Sequence, residues 1–236
     1  MTDDPEIAFL CDPELEGTLP KPDRAIRFAP DWFKDLPREM DIPDADGKPG
    51  MTVKACLPVT DAFALGYVIP LPYETHIRVP QDQQNMQFGW PHEVAFQPIE
   101  FHHPGQIGAP APPFGPVTPL KFVNPWRIRV PDGYSVLFTT PLSRPDLPFQ
   151  LFSGFVDCDK FATTINFPFL WRGGVGDFVL PAGMPMVQLI AIRRDTLIKD
   201  HVARGSSEEE LDEQAHAHDR KYNSESAYAR EWRVKK

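Results

Sequence analysis

Twenty-eight prolines among 236 residues constrain this chain more than any other feature. That is more than twice the roughly 5% share of ordinary proteins. Each proline removes a backbone donor from a helix or a sheet ladder, so a helix bundle or a continuous parallel sheet is disfavoured. A disordered proline-rich chain would be poor in aromatics. Here 17 Phe, 5 Trp and 5 Tyr accompany the prolines, which points to loops and strand ends shaped by proline around an aromatic core.

From Val53 to about Arg194, short apolar segments alternate with Pro and Gly at intervals of roughly ten residues, the pattern of a β sandwich or barrel. Strands are expected near 53–57, 65–71, 74–79, 94–97, 126–130, 134–140, 151–156, 162–168, 176–180 and 186–193. The alternation is clearest in WRIRV, where Trp126, Ile128 and Val130 face one way and Arg127 and Arg129 the other. GAPAPPFGPVTP (108–119) reads as an extended proline-rich loop.

Three segments are expected along the chain. Residues 1–52 form an extension packed on the core, with a strand-like start at Ile7 to Cys11, a short helix in PDWFKDLP (30–37) and a turn cluster in DIPDADGKPG (41–50). Residues 53–194 form the β domain. Residues 195–236 are helical, with a short helix in 195–203 and then a polar helix capped by Ser206 or Ser207, and the basic end at Arg233, Lys235 and Lys236 is a solvated tail.

A net charge of −9 and a pI near 5.2 argue against nucleic acid as a partner. Cys11, Cys56 and Cys158 are an odd number without C-x-x-C spacing, which fits a reducing cytoplasm better than a disulfide framework. The acidic N-terminus has no secretory pattern, and no apolar run suits a membrane. No P-loop, dinucleotide fingerprint or nucleophile elbow occurs.

Two clusters can carry chemistry. In LFSGFVDCDKFATTINFPF (151–169), Asp157 and Asp159 alternate, so both would share one side with Cys158 turned away. Such a pair would bind a divalent cation through oxygen, or raise one pKa for acid–base work. The structural alternative is a hydrated turn capped by the acids. The second cluster is WPHEVAFQPIEFHHPGQ (90–106), where His92, His102 and His103 would ligate Fe or Zn with His76 or His201 completing the set. Its alternative is ordinary histidines satisfied by hydrogen bonds. Trp90, Phe101, Phe114, Trp126, Phe167, Phe169 and Trp171 are read mainly as core, or else as the floor of a pocket.

The order of LGYVIPL (65–71), PDGYS (131–135), GFVDCD (154–159) and PAGMPMVQLI (181–190) resembles the dUTPase and dCTP-deaminase superfamily across residues 61–193. That resemblance implies a mainly β, β-clip type fold with distorted strands, and an oligomer. It also implies that Asp157 positions and activates the attacking water. Asp157 and Asp159 are the candidate catalytic pair, with Tyr67, Tyr134, Lys160, Asn166 and Gln188 the candidate ligand-binding residues. The chain departs from the family pattern where Lys160 replaces the sugar-stacking tyrosine and Val68 the aspartate of the first motif. TTPLSRPDL lacks the glycine of the phosphate loop. The whole chain also resembles an uncharacterised bacterial and phage family with the landmarks Asn124-Pro125-Trp126, Pro131 to Ser135, Asp157 to Asp159 and Asn166 to Phe169.

The functional expectation is a protein or hydrolase that binds a small, nucleotide-like ligand in an acidic pocket at Asp157 and Asp159. A cupin-like metal enzyme built on His92 with His102 or His103 is the first alternative. A non-catalytic assembly protein of phage origin is the second. A divalent metal ion is the cofactor that either cluster would take, and a homo-oligomer is the expected assembly.

Overall fold

The computed structural model describes residues 6–43, 47, 49–83, 85–115, 117–223 and 228–234. The expected basic end at Lys235 and Lys236 lies outside them, as does part of the turn cluster at 44–48. The chain divides into two units, Met1–Thr196 and Leu197–Lys236.

The first unit is mainly β, built from short strands. In chain order these are β1 (Ala8–Leu10), β2 (Asp23–Arg24), β3 (Glu39–Pro43), β4 (Pro49–Met51), β5 (Tyr67–Pro70), β6 (Thr75–Val79), β7 (Gln87–Gly89) and β8 (Ile99–Phe101). They continue with β9 (Leu120–Phe122), β10 (Arg127–Arg129), β11 (Tyr134–Thr139), β12 (Phe149–Leu151), β13 (Gly154–Val156), β14 (Phe167–Trp171), β15 (Gly176–Leu180) and β16 (Pro185–Arg193). Two short helices, α1 (Asp31–Asp35) and α2 (Leu57–Ala64), complete the unit.

Antiparallel pairing produces separate sheets in the orders β13-β11-β16-β5-β2, β12-β14-β9-β8 and β15-β6-β7, with two-stranded ladders β1-β10 and β3-β4. Among the described residues no sheet closes into a barrel. Proline density explains the fragmentation, because a ladder stops wherever an amide donor is missing. The alternation expected in WRIRV holds, with Trp126, Ile128 and Val130 buried, Arg127 half-buried and Arg129 exposed; β6 alternates as well, Thr75, Ile77 and Val79 buried and His76 and Arg78 exposed. Strand β16 is central to its sheet and buried throughout Pro185 to Leu189.

All three larger sheets contribute to one aromatic and aliphatic core. Phe122 stacks on Phe169 with centroids 4.0 Å apart, and Phe149 meets Phe122 edge-on at 4.9 Å. Trp126, Phe167 and Phe169 are core residues, whereas Phe101 is exposed. Gly66 in LGYVIPL has φ +71, and a Cβ there would overlap the Leu189 carbonyl on β16. Only glycine meets both conditions, so this motif position serves the β5–β16 contact.

Several expected strands shift. Residues 53–57 form a 3-10 turn, Val53–Ala55, leading into α2, where Pro58 near the helix start presets the first turn. Residues 94–97 lie outside any ladder, and the strands nearby are β7 and β8. The expected strand 151–156 is two strands in different sheets, β12 and β13, with Phe152 and Ser153 crossing between them. The strand expected at 162–168 begins only at Phe167, after the turn that follows β13. β9 was not expected.

The second unit contains the helix α3 (Glu208–Asn223) and a π turn at Tyr228–Trp232. Ser207 caps α3: its Oγ accepts from the Glu210 amide at 3.3 Å, and Glu210 Oε2 accepts from the Ser207 amide at 2.7 Å. The reciprocal bonds satisfy two donors that a helix start leaves open. The helix expected within 195–203 reduces to the 3-10 turn Arg194–Thr196. No helix among the described residues is long and apolar enough to cross a membrane.

Candidate functional site

The stretch after β13 is a tight turn. The Asp157 carbonyl accepts from the amides of Lys160 at 2.9 Å and Phe161 at 2.8 Å. Cys158 is thereby turned into the core at 3% exposure, and the acids stand in a turn rather than on the strand face expected for them, Asp157 exposed and Asp159 enclosed. Burial, followed by the charges of Asp159 and Asp157, pushes the Cys158 thiol up to about 11.

The acids face Arg194, a residue singled out by no sequence motif. Its Nη1 donates to Asp159 Oδ1 at 3.0 Å and its Nη2 to Asp159 Oδ2 at 2.5 Å. The Gly133 amide donates to Asp159 Oδ2 at 3.0 Å, and the Asp159 side chain has 0% exposure. The Arg194 hydrogen bonds hold the Asp159 carboxyl far below the usual carboxylate range, against the opposing effect of burial. Arg194 Nη1 also donates to the Tyr134 carbonyl at 2.8 Å and reaches Asp157 Oδ1 at 3.4 Å. Ser135 Oγ donates to Asp157 Oδ1 at 2.5 Å. Asp157 is open to solvent, its side chain 62% exposed.

The PDGYS and VDCD landmarks therefore bond to each other. The same holds for the other two: Asn166 Oδ1 accepts from the Asn124 amide at 3.1 Å, and Asn124 Nδ2 donates to the carbonyls of Trp126 at 2.7 Å and Ile165 at 3.1 Å. Asn124 is 2% exposed, where unmet hydrogen-bond capacity is costly.

On the outer side of the turn lies a cleft of about 250 Å³ lined by Arg127, Arg129, Cys158, Asp159, Lys160, Phe161 and Ala162. Lys160 Nζ donates to Asp132 at 3.0 Å, both groups being exposed. Arg127 and Arg129 share one face of β10 and have no carboxylate partner among the described residues. The Nε of Arg127 is buried and makes no hydrogen bond among them. A buried donor left without an acceptor costs about 1–3 kcal/mol.

The remaining expected site residues are dispersed. Gln188, 2% exposed, accepts from the Leu142 amide at 2.7 Å and donates to the carbonyls of Leu65 at 2.6 Å and Ala62 at 3.2 Å. Tyr67 is half-buried with its ring 5.7 Å from Phe9, and Tyr134 is half-buried at the start of β11. His102 and His103 border an open depression beside Phe101 and Met86 that His92 does not line. His103 Nδ1 accepts from the Gly105 amide at 3.1 Å. Among the described residues no three His, Cys, Asp or Glu side chains come together as a metal set.

The missed residues had one legible signal. Arg127 and Arg129 are the outward pair of WRIRV, and two like charges on one strand face call for a shared counter-charge. Arg194, at the end of a long apolar strand, had none.

No family model matches the chain, and no curated protein matches it. Among solved structures, the native dUTPase of EIAV is similar to it at a TM-score of 0.33 and 14% identity, over 61% of this chain and 87% of that one.

Proposed function

We propose that this β domain binds a small polar ligand, nucleotide-like ligands included, in the cleft between β10 and the Asp157–Ala162 turn. The observation that carries this reading is the pair Arg127 and Arg129 in the wall of that cleft, neither of them paired with a carboxylate among the described residues. The acids support the site from behind: Asp159 is fully engaged by Arg194 and Gly133 and fixes the turn that presents Lys160 and Phe161. The finer dUTPase-like fold belongs to this proposal and rests on the order of motifs from residue 61 to 193.

A hydrolytic version of the reading turns on Asp157, which is solvent-exposed beside the same turn. An exposed carboxylate close to a bound ligand is able to activate water as a general base.

Thermal-shift screening of the full chain against nucleosides, nucleotides and sugars, with and without Mg²⁺, tests the proposal. A ligand from this panel raises the Tm, and Phe161→Ala with Lys160→Ala reduces the rise. If no compound shifts the Tm, or the double variant responds like the wild type, the cleft is not the ligand site. Asp157→Asn separates the two versions: binding survives in both, and turnover disappears only if Asp157 is the base.

A further inference from the structure

We infer that the cleft anchors its ligand by a phosphoryl group, held by Arg127 and Arg129 with Lys160 at the rim. The inference rests on the reading of the cleft as a ligand site and adds the chemical class of the ligand. Four cations, Arg127, Arg129, Lys160 and Arg194, surround the turn, with three carboxylates, Asp132, Asp157 and Asp159. Both oxygens of Asp159 are bonded to Arg194, so this carboxylate presents little free negative charge to an incoming anion. Asp132 engages the ammonium of Lys160 only through one exposed contact. The two arginines remain without a carboxylate, on an acidic chain of net charge −9.

Residues two apart on a strand lie on one face about 7 Å apart. Two guanidinium groups at that spacing can converge on one tetrahedral oxyanion, each presenting a fork of donors that fits phosphate oxygens. Phe161, 44% exposed, supplies an apolar wall for the organic part of the ligand. A volume of about 250 Å³ falls just below the range of drug-sized sites, roughly 300–1,000 Å³. It suits a phosphomonoester of a small organic group better than a dinucleotide.

Calorimetric titration of the full chain tests this with inorganic phosphate, uridine and adenosine 5′-monophosphates, the two parent nucleosides, and malonate. The monophosphates bind, inorganic phosphate competes with them, and the nucleosides and malonate bind much more weakly. Arg127→Met and Arg129→Met each weaken monophosphate binding at least about tenfold, whereas Arg78→Met, on the exposed face of β6, leaves it unchanged. Because Arg127→Met removes an unbonded buried donor, it keeps or raises the Tm while binding falls, which separates loss of an anchor from loss of fold. Nucleosides binding as tightly as their monophosphates, unaffected by the arginine variants, would overturn the phosphoryl anchor and leave the ligand-site reading standing. Malonate binding as tightly as phosphate would overturn the choice of phosphoryl over carboxylate. If no probe of either kind binds, both readings fall.

Discussion

Arg194 grips Asp159 through two parallel bonds, at 3.0 Å and 2.5 Å, around a carboxylate with no solvent exposure. The pair ties the end of β16 to the turn after β13, and β11 lies between those two strands in the sheet. One ion pair thus fixes three strands, and the exposed Lys160 and Phe161 follow Asp159 directly. Removing one partner would leave the other charge without compensation.

This pair sets an acid limit on stability. Arg194 lowers the Asp159 pKa in the folded state, so the carboxylate stabilises the fold fully above the unfolded aspartate value of about 3.9. That contribution is lost as the pH falls below this value towards the folded pKa. Thermal unfolding of the wild type and Asp159→Asn across this range should show a lower Tm for the variant near neutrality. The difference should shrink below about pH 4, and a gap constant with pH would show that the charge of Asp159 contributes nothing.

Gln188 is a second lock. Its amide serves Leu142, Ala62 and Leu65 from within β16, joining α2 and the Leu142 loop to the central sheet. Gln188→Leu keeps the apolar stem and strands three backbone groups, at a cost of about 2–4 kcal/mol. Urea denaturation measures it, and a loss under about 0.5 kcal/mol would mean water replaces the side chain without penalty.

What the sequence disclosed follows from the range of the interactions involved. Alternation in WRIRV and a cap at Ser206 or Ser207, which the structure places at Ser207, depend on near neighbours and were legible. Asp157 and Asp159 were expected on one strand face, whereas they stand in a turn, Asp157 open to solvent and Asp159 enclosed. Their partner was not legible either, because Arg194 reaches Asp159 from 35 residues away with no motif to announce it. Gln188 looked like a ligand contact for a similar reason: a polar residue in an apolar strand signals a required hydrogen bond, and the sequence does not say whether a ligand or the fold supplies it. The missed helix α2 was obscured by Val53 and the apolar residues after it, which suit either a strand or a buried helix.

The environment of Cys158 predicts low reactivity. The thiol is 3% exposed and raised to about 11 by burial and by Asp159 and Asp157, so its thiolate is scarce at pH 8. Cys56 is exposed. Timed iodoacetamide labelling of the folded chain, mapped by mass spectrometry, should modify Cys56 first and reach Cys158 only on unfolding. Labelling of Cys158 at a rate equal to that of Cys56 would refute its burial.

The start of α3 provides a further test, within the second unit. Glu210 accepts from the Ser207 amide and from both terminal nitrogens of Arg204, each at 2.7 Å. The hydrogen bonds from Arg204, and then that from Ser207, bring Glu210 down to about 2. A depressed carboxyl stabilises the ionised, capped helix above the unfolded value of about 4.3 and ceases to do so as the pH falls through about 2. Backbone carbon chemical shifts of Glu208 to Glu213 should therefore move towards coil values between those limits. Ser207→Ala removes the Oγ acceptor and should cost the helix start about 1 kcal/mol, seen as reduced helical shifts at neutral pH. Glu210→Gln keeps a side-chain acceptor but loses the charge, so its profile should lose the acid transition. If Glu210→Gln retains the wild-type acid transition, a neighbouring carboxylate carries it, and the Ser207 to Glu210 box does not set the start of α3.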